Sequence, residues 1–253
     1  MAALNTKQSK IFLLPAIFAG AVIGGCVVEP REDTTTRVHL EILLDLPLSV
    51  HSSTDVNHPD RAFRSGFSSV NLADNPLAFS VEVSAVDLRI PATARYAGDP
   101  GNDDTIDLVL DVSSGENREL FLILYHWDSN EVSTYRALET GLLFEPGDQL
   151  VSLEPKKVDT WVLDGVLEGV GDKVPIGVVV EDVQTRIEFP ETPVEEGPLG
   201  WEFSVPYMPV GRFFYVRVHW DDNTWTDPLN FCPLFFGQST NILRVFNLQD
   251  ASC

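Results

Sequence analysis

Apolar and polar residues alternate in several short segments after residue 36, which is the pattern of strands with one buried face. In segment 37–46 the aliphatic residues Val38, Leu40 and Ile42 fall on one face, with polar residues between them. The segment 79–90 alternates in the same way over its first half. Both segments are therefore predicted to be strands.

A dense apolar and aromatic run, Leu120–Trp127, predicts a central strand buried on both faces. Shorter strands are predicted at 105–112, 131–137 and 149–153, the last of them after a turn at 145–148. No segment after residue 36 sustains helical spacing, and turn residues recur about every 8–12 positions. The pattern indicates an all-β fold of the sandwich type.

Residues 47–76 interrupt this pattern with prolines, histidines, serines and acidic residues. A loop of this length is unusual inside a compact domain, so it is expected either to contain a short element or to have a function.

The chain also contains an internal repeat. His-Trp-Asp-x-Asn occurs at 126–130 and again at 219–223, an offset of 93 residues. That spacing matches a sandwich domain of about 100 residues. We therefore predict two tandem domains, 37–155 and 160–253, with a boundary near 155–159.

The layout of a glycine turn, a long strand, a Pro-Gly turn and a final strand resembles immunoglobulin-like and transthyretin-like modules of bacterial surface lipoproteins. The resemblance covers roughly residues 78–253. It implies two immunoglobulin-like β-sandwiches and brings no catalytic residues with it.

The N-terminal segment has the composition of a secretory signal. Residues 1–10 carry Lys7 and Lys10 and no acid, and an uncharged run follows at 11–23. This run is shorter than the about 20 residues of a membrane-spanning helix. An uncleaved anchor helix and a plain secretory signal with an unrelated cysteine are the alternative interpretations.

Ile23-Gly24-Gly25-Cys26 resembles the lipobox of bacterial lipoproteins. The resemblance implies that residues 1–25 are a cleaved signal peptide and that Cys26 becomes the lipidated first residue. Within that family, Val27 in place of an aspartate implies the outer membrane rather than the inner one. The polar residues 26–36 would then be a short tether. Whether the protein faces the periplasm or the exterior stays open.

Strong acidity limits the possible partners. The formal net charge is −21, and loss of residues 1–25 would remove two lysines and no acid. Nucleic-acid binding rests on clustered basic residues, so nucleic acid is not an expected partner. The same charge opposes contact of the protein body with anionic lipid. The acidity serves solubility or, alternatively, gathers divalent cations.

If Cys26 is lipidated, Cys232 and Cys253 remain as an even pair in an oxidising compartment. We predict that they form a disulfide, which would stabilise the fold by about 3 kcal/mol in the chain-entropy model.

The sequence contains two kinds of candidate metal site. Along a strand, the His and Asp of each His-Trp-Asp share a face, yet a third ligand is missing, so these motifs are interpreted as strand ends. No cofactor is expected apart from a weak calcium site, whose alternative is an exposed acidic turn. Its oxygen ligands would come from Asp99, Asn102, Asp103, Asp104 and Asp107.

The second repeat is rich in aromatic residues, of which Trp225, within an acidic turn, is predicted to be exposed and able to bind a ligand. Motifs of common hydrolases, nucleotide-binding proteins and zinc enzymes are absent from the sequence. We therefore expect a lipid-anchored, non-catalytic binding or structural protein of the outer membrane. Its partners would be the membrane and an envelope protein or polysaccharide. The alternative is a carbohydrate-binding or enzyme-accessory module.

Overall fold

The computed structural model describes residues 35–44, 69–98, 105–226, 234–236 and 243–248. Within these ranges the chain forms eighteen strands and no α-helix, so the predicted all-β fold is confirmed. The strands are β1 (Thr35–Leu43), β2 (Val70–Asn71), β3 (Leu77–Ser84), β4 (Ala92–Gly98), β5 (Thr105–Ser113), β6 (Gly115–Trp127), β7 (Val132–Phe144), β8 (Gly147–Leu153), β9 (Lys156–Lys157), β10 (Thr160–Glu168), β11 (Pro175–Asp182), β12 (Ile187–Glu188), β13 (Thr192–Pro193), β14 (Glu195–Gly197), β15 (Gly200–Pro209), β16 (Arg212–Trp220), β17 (Leu234–Phe236) and β18 (Arg244–Asn247).

The first sandwich consists of a three-stranded sheet, ordered β5-β1-β8, and a five-stranded sheet, ordered β4-β3-β6-β7-β9. β1 pairs antiparallel with β5 and parallel with β8. Val38, Leu40 and Ile42 are at most 1% exposed and belong to the core between the two sheets. The alternation in the sequence therefore identified the buried face of β1 correctly.

The second sandwich consists of a four-stranded sheet, β14-β15-β10-β18, and a second sheet ordered β17-β16-β11-β12-β2, with β13 paired to β11. Its core contains side chains from both of these sheets and also Ala78, Ile123 and Tyr125 of the five-stranded sheet. The described residues accordingly belong to one compact unit. The division into independent domains at 155–159 stays a prediction.

The strand β6 is buried on both faces, as its dense apolar run predicted. Leu122 and Leu124 contact the first core, whereas Ile123 and Tyr125 contact the second. Each of these four side chains is at most 1% exposed. The middle strand of the five-stranded sheet therefore contributes to both cores.

The predicted loop 47–76 contains a short element at its end. β2 pairs in parallel with β12, and the Val70 N–H donates to the Arg186 carbonyl at 2.9 Å. Leu72 is fully buried in the second core. The segment that follows β1 thus contributes to the second sandwich, while residues 45–68 lie outside the described part of the chain.

Several strand boundaries differ from the prediction. β3 ends at Ser84, where a turn begins with the Leu88 N–H donating to the Ala85 carbonyl at 3.1 Å. β4 was not predicted, and β7 extends to Phe144. Lys156 and Lys157, expected near a linker, pair with β7 as β9. No helix able to cross a bilayer is found among the described residues.

Candidate binding cleft

A cleft of about 880 Å³ opens in the second sandwich, beside the turn that follows β6. β10 and β15 form one side, and the segment that connects β12 with β15 forms another. The residues that line it are Trp127, Asn130, Val132, Asp164, Gly165, Phe189, Pro190, Glu191, Thr192, Pro193, Glu195, Glu196, Gly197, Pro198, Glu202, Phe203, Ser204, Val205, Pro206, Tyr207 and Leu243. A volume of this size is typical of ligand-binding clefts.

Aromatic side chains line part of the cleft. Phe189 and Phe203 are buried, whereas Trp127 and Tyr207 are partly exposed. The backbone of Tyr207 has a φ of 64°, which is uncommon for a residue with a side chain. The pairing of β10 with β15 shifts register at this point, and such bulges re-aim side chains. The bulge accounts for the placement of the Tyr207 ring at the cleft.

Two glycines shape the cleft walls. A Cβ atom on Gly165 would lie 2.2 Å from the ring of Phe203, and one on Gly177 would lie 1.9 Å from Glu191 Oε1. Both distances are far below van der Waals contact. Glycine at these two positions therefore allows Phe203 and Glu191 to approach the backbone closely.

Five carboxylates line the cleft: Asp164, Glu191, Glu195, Glu196 and Glu202. The lining contains no lysine, arginine or histidine. Asp164 accepts a hydrogen bond from the Ser204 hydroxyl at 2.8 Å, and Glu202 accepts one from the Leu199 N–H at 2.8 Å. Among the described residues, Glu191 is the only one of the five in an ion pair. The cleft is consequently acidic.

The partner of Glu191 is His219, which lies just outside the cleft. His219 Nδ1 is 2.8 Å from Glu191 Oε1, and Nε2 is 3.0 Å from Asn223 Oδ1. The hydrogen bond to Glu191, assisted by the one to Asn223, raises the pKa of His219 above its ordinary value. Protonated His219 would offset one of the five carboxylate charges, and it would do so increasingly as the pH falls.

The predicted ligand-binding residue Trp225 is 38% exposed. Its ring stacks on His219, with centroids 4.2 Å apart and an interplanar angle of 6°, and the Arg217 guanidinium lies 5.2 Å from its centroid. His219 therefore covers one ring face, and ligand binding by Trp225 stays a prediction. Phe213 and Phe235 are also exposed, and their ring centroids are 4.9 Å apart.

The first His-Trp-Asp motif lies where β6 meets its turn. The Asp128 carboxylate accepts hydrogen bonds from the N–H groups of Asn130 and Glu131 at 3.0 and 2.8 Å. These bonds lower the pKa of Asp128. His126 is buried, while Trp127 packs against the second core and lines the cleft.

The second motif ends β16. Trp220 is buried in the second core, and Asp221 accepts a hydrogen bond from the Val174 N–H at 3.3 Å. In the same turn, Asp222 pairs with Lys173 at 2.8 Å and accepts hydrogen bonds from Thr224. The bond from Lys173, together with those from Thr224, lowers the pKa of Asp222 to about 2.

The remaining predicted site residues are only partly described. Asp107 is an exposed residue of β5 opposite Glu41, and the other four proposed calcium ligands lie outside the described residues. The lipidation site Cys26 and the cysteines 232 and 253 also lie outside them. Calcium binding, lipidation and the disulfide therefore stay predictions. In the described part of the chain, no three His, Cys, Asp or Glu side chains are arranged to hold a metal ion.

The cleft itself was not predicted. Its clearest signal in the sequence is the stretch 190–198, in which three prolines and three glutamates occur together. That composition is typical of a loop and does not by itself indicate a cleft, because the aromatic residues and Asp164 that complete the cleft come from distant strands.

No protein-family model matches the chain, and no curated protein matches it in sequence. Solved structures with some similarity include the tip fimbrial protein Mfa3 from Porphyromonas gingivalis with C-terminal truncation. Its TM-score is 0.32 at 9% identity, and the match covers 79% of this chain and 81% of that one. Shaft pilin SpaA from Lactobacillus rhamnosus GG has a TM-score of 0.23 at 10% identity, over 85% of this chain and 97% of that one.

A leucine-rich repeat protein from Bacteroides thetaiotaomicron has a TM-score of 0.27 at 13% identity. The match covers 85% of this chain but only 26% of that one. TM-scores as low as these show no shared family, and no function is inferred from them.

Proposed function

We propose that this chain is a non-catalytic, lipid-anchored protein of the outer membrane that binds a positively charged segment of a partner protein. The observation that carries the binding proposal is the cleft, in which five carboxylates and no basic residue surround a space of about 880 Å³. The anchor rests on the resemblance of residues 23–26 to a lipobox.

Charge complementarity favours a basic segment as the occupant. Carboxylates that line one cleft repel each other, and a lysine or arginine from a partner would relieve that repulsion. The partly exposed rings of Trp127 and Tyr207 add faces on which a guanidinium group or an ammonium group can bind. A neutral polysaccharide would use the rings but would leave the charges uncompensated.

The cleft can be tested with an octa-arginine peptide as the probe. Glu195→Gln combined with Glu196→Gln removes two exposed charges without disturbing a described ion pair or hydrogen bond. We expect this variant to bind the peptide about tenfold more weakly at low salt, because binding energy is lost with each charge. Isothermal titration calorimetry would give the dissociation constants.

The matched control is Glu116→Gln combined with Glu119→Gln, which changes the net charge equally at exposed positions of β6. This control should keep the affinity of the unchanged protein within about twofold. An equal loss in both variants would mean that the peptide responds only to overall charge. Binding of a neutral oligosaccharide at the cleft in preference to the peptide would favour the carbohydrate-binding alternative.

The anchor can be tested by expressing the protein and its Cys26→Ser variant in a bacterial host. We expect the unchanged protein to carry lipid mass on residues 26–253 and to fractionate with the outer membrane. Cys26→Ser should lack the lipid and lose the membrane association. Cleavage at another position, with both proteins soluble, would contradict the anchor and leave the cleft proposal untouched.

A further inference from the structure

One end of the first sandwich is the place where the proposed tether enters the fold. β1 begins at Thr35, which is opposite Ser113 at the end of β5. β6 begins directly after β5, and its early residue Glu119 is opposite Ser84 at the end of β3. The turn 85–91 that follows β3 therefore lies at the same end as the start of β1. We refer to this end as the tether end.

The tether end carries the two most exposed large apolar side chains of the described residues. Val86 and Ile90, both in the turn 85–91, are 108% and 81% exposed. Leu143, near the end of β7, is 53% exposed, and Phe144 beside it is opposite Gly115 at the start of β6. Isolated exposed aliphatic residues are common, but these three lie near one end of the same sandwich, and we call them the apolar patch.

Direct side-chain contacts join this turn to the start of the fold. Asp87 forms an ion pair with Arg118, whose guanidinium also donates to the Ser114 carbonyl at 2.8 Å. The Ser114 hydroxyl is 2.8 Å from the Thr36 hydroxyl on β1. Leu88 packs against the first core. The turn is thus fixed to the scaffold, with Val86 and Ile90 exposed and the charge of Asp87 paired.

We infer that Val86, Ile90 and Leu143 dock at the lipid surface to which the chain is anchored. The inference rests on the proposed lipid anchor. Residues 26–34 separate the proposed lipid from β1, and nine residues span at most about 30 Å. Every anchored molecule therefore holds its tether end within that distance of the bilayer surface, at a high effective concentration.

A lipid surface fits this patch better than another surface does. Aliphatic side chains at the acyl boundary bind lipid through the apolar area that they bury. The acidic body is repelled by anionic headgroups, so contact depends on the aliphatic side chains. The carboxylate of their own turn, Asp87, is paired with Arg118, whereas Glu116 and Glu145 at the same end are exposed. Because the tether joins each molecule to lipid and to no other surface, lipid is the occupant that is always within reach.

The test uses an environment-sensitive fluorescent amino acid at position 86, with position 199 as the matched control. Leu199 is 62% exposed and lies in the turn between β14 and β15 of the second sandwich. Each lipidated protein is placed in vesicles of phosphatidylethanolamine and phosphatidylglycerol with brominated chains. We expect bromine to quench the reporter at 86 at least about twofold relative to unbrominated vesicles, and to leave the reporter at 199 unchanged.

A second variant tests the aliphatic side chains themselves. With the reporter at position 143, quenching should be lost when Val86→Asp and Ile90→Asp are combined. Both positions are exposed, so the fold should tolerate these changes. Unfolding in urea provides the check that the double variant is folded.

Several outcomes would overturn the inference. Absence of quenching at 86, or equal quenching at 86 and 199, would exclude specific docking. A shift of the reporter at 86 without lipid, as the protein concentration rises, would show that a second copy covers the patch. If mass spectrometry finds no lipid on Cys26, the anchor has failed. The docking is then tested with a hexahistidine tag before residue 26 on nickel-chelating vesicles, and the same criteria apply.

Discussion

Asp182→Ala should lower the free energy of unfolding by about 3–5 kcal/mol, because it leaves the buried Arg212 guanidinium without its counter-charge. Asp182 is fully buried, and Arg212 is 7% exposed. The guanidinium Nε and Nη2 atoms each donate to one Asp182 oxygen at 2.9 Å. Paired donors of this kind form strong, geometrically specific bonds.

The same carboxylate connects the two halves of the chain. Asp182 accepts a hydrogen bond from the Tyr125 hydroxyl of β6, and its Oδ1 also accepts from the N–H groups of Gln184 and Thr185 at 2.9 and 3.1 Å. Burial and, secondly, the charge of Asp182 raise the pKa of Tyr125 well above its ordinary value. Tyr125 therefore remains protonated and acts as the donor. Loss of Asp182 would leave donors from both sandwiches unsatisfied.

Tyr125→Phe is the matched control for this prediction. It removes one hydrogen bond and keeps the ion pair, so we expect a loss of only about 1 kcal/mol. Urea unfolding followed by fluorescence and by circular dichroism would measure both variants. If Asp182→Ala lowered the free energy of unfolding by less than Tyr125→Phe does, the prediction would be contradicted. Such a result would show that the Arg212 guanidinium forms hydrogen bonds with other partners.

The strands that were predicted correctly are those in which the order of apolar and polar residues matches the burial of each face. β1 and β5 alternate because one face of the three-stranded sheet packs on the first core and the other meets solvent. β6 lacks alternation in its centre because both faces are covered, and its run of apolar residues showed this. A local sequence pattern is enough to predict a strand when each face of that strand is either clearly buried or clearly exposed to solvent.

β4 escaped prediction because it is an edge strand with few large apolar residues. Its sequence, Ala-Thr-Ala-Arg-Tyr-Ala-Gly, has no strong period, and pairing with β3 decides its conformation. The outer half of β7 is likewise exposed over positions 138–141. Such segments become strands through tertiary hydrogen bonding rather than through local preference.

The repeat predicted two similar strand ends but not their different surroundings. Trp127 lines the cleft, whereas Trp220 is 7% exposed in the second core. His126 is buried within the sandwich, while His219 bonds Glu191 at the mouth of the cleft. One motif thus acquires two environments, because the five-stranded sheet has a core on each side. That difference arises from the packing of the sheets, and this packing cannot be deduced from the motif.

The buried charged residues also could not be predicted from the sequence. Asp182, Arg212 and Arg118 are residue types that normally lie at the surface. Nothing near them in sequence indicates burial, since their partners are far away along the chain, as Tyr125 is from Asp182. The cleft has the same origin, since its walls combine segments that become neighbours only after folding.

Arg118→Ala should destabilise the fold by about 2–4 kcal/mol and should loosen the tether end first. Arg118 has no exposed surface, and its guanidinium donates to the carbonyls of Ser113 and Ser114 and to Asp87. Removal would leave both carbonyls without these donors and a cavity where the side chain packs. The turn 85–91 would also lose its ion pair, although Leu88 would still contact the core.

Asp87→Asn distinguishes the two parts of this effect. The Asp87 side chain is 62% exposed, so its replacement should cost about 1 kcal/mol or less and leave the carbonyl bonds of Arg118 in place. Limited trypsin digestion offers a local readout, because Arg89 is an exposed residue of the same turn. We expect cleavage after Arg89 to accelerate strongly in Arg118→Ala and only slightly in Asp87→Asn. Equal acceleration in the two variants would mean that the ion pair alone fixes the turn. The hydrogen bonds from Arg118 to the buried carbonyls would then stabilise the β5–β6 connection without restraining the apolar patch.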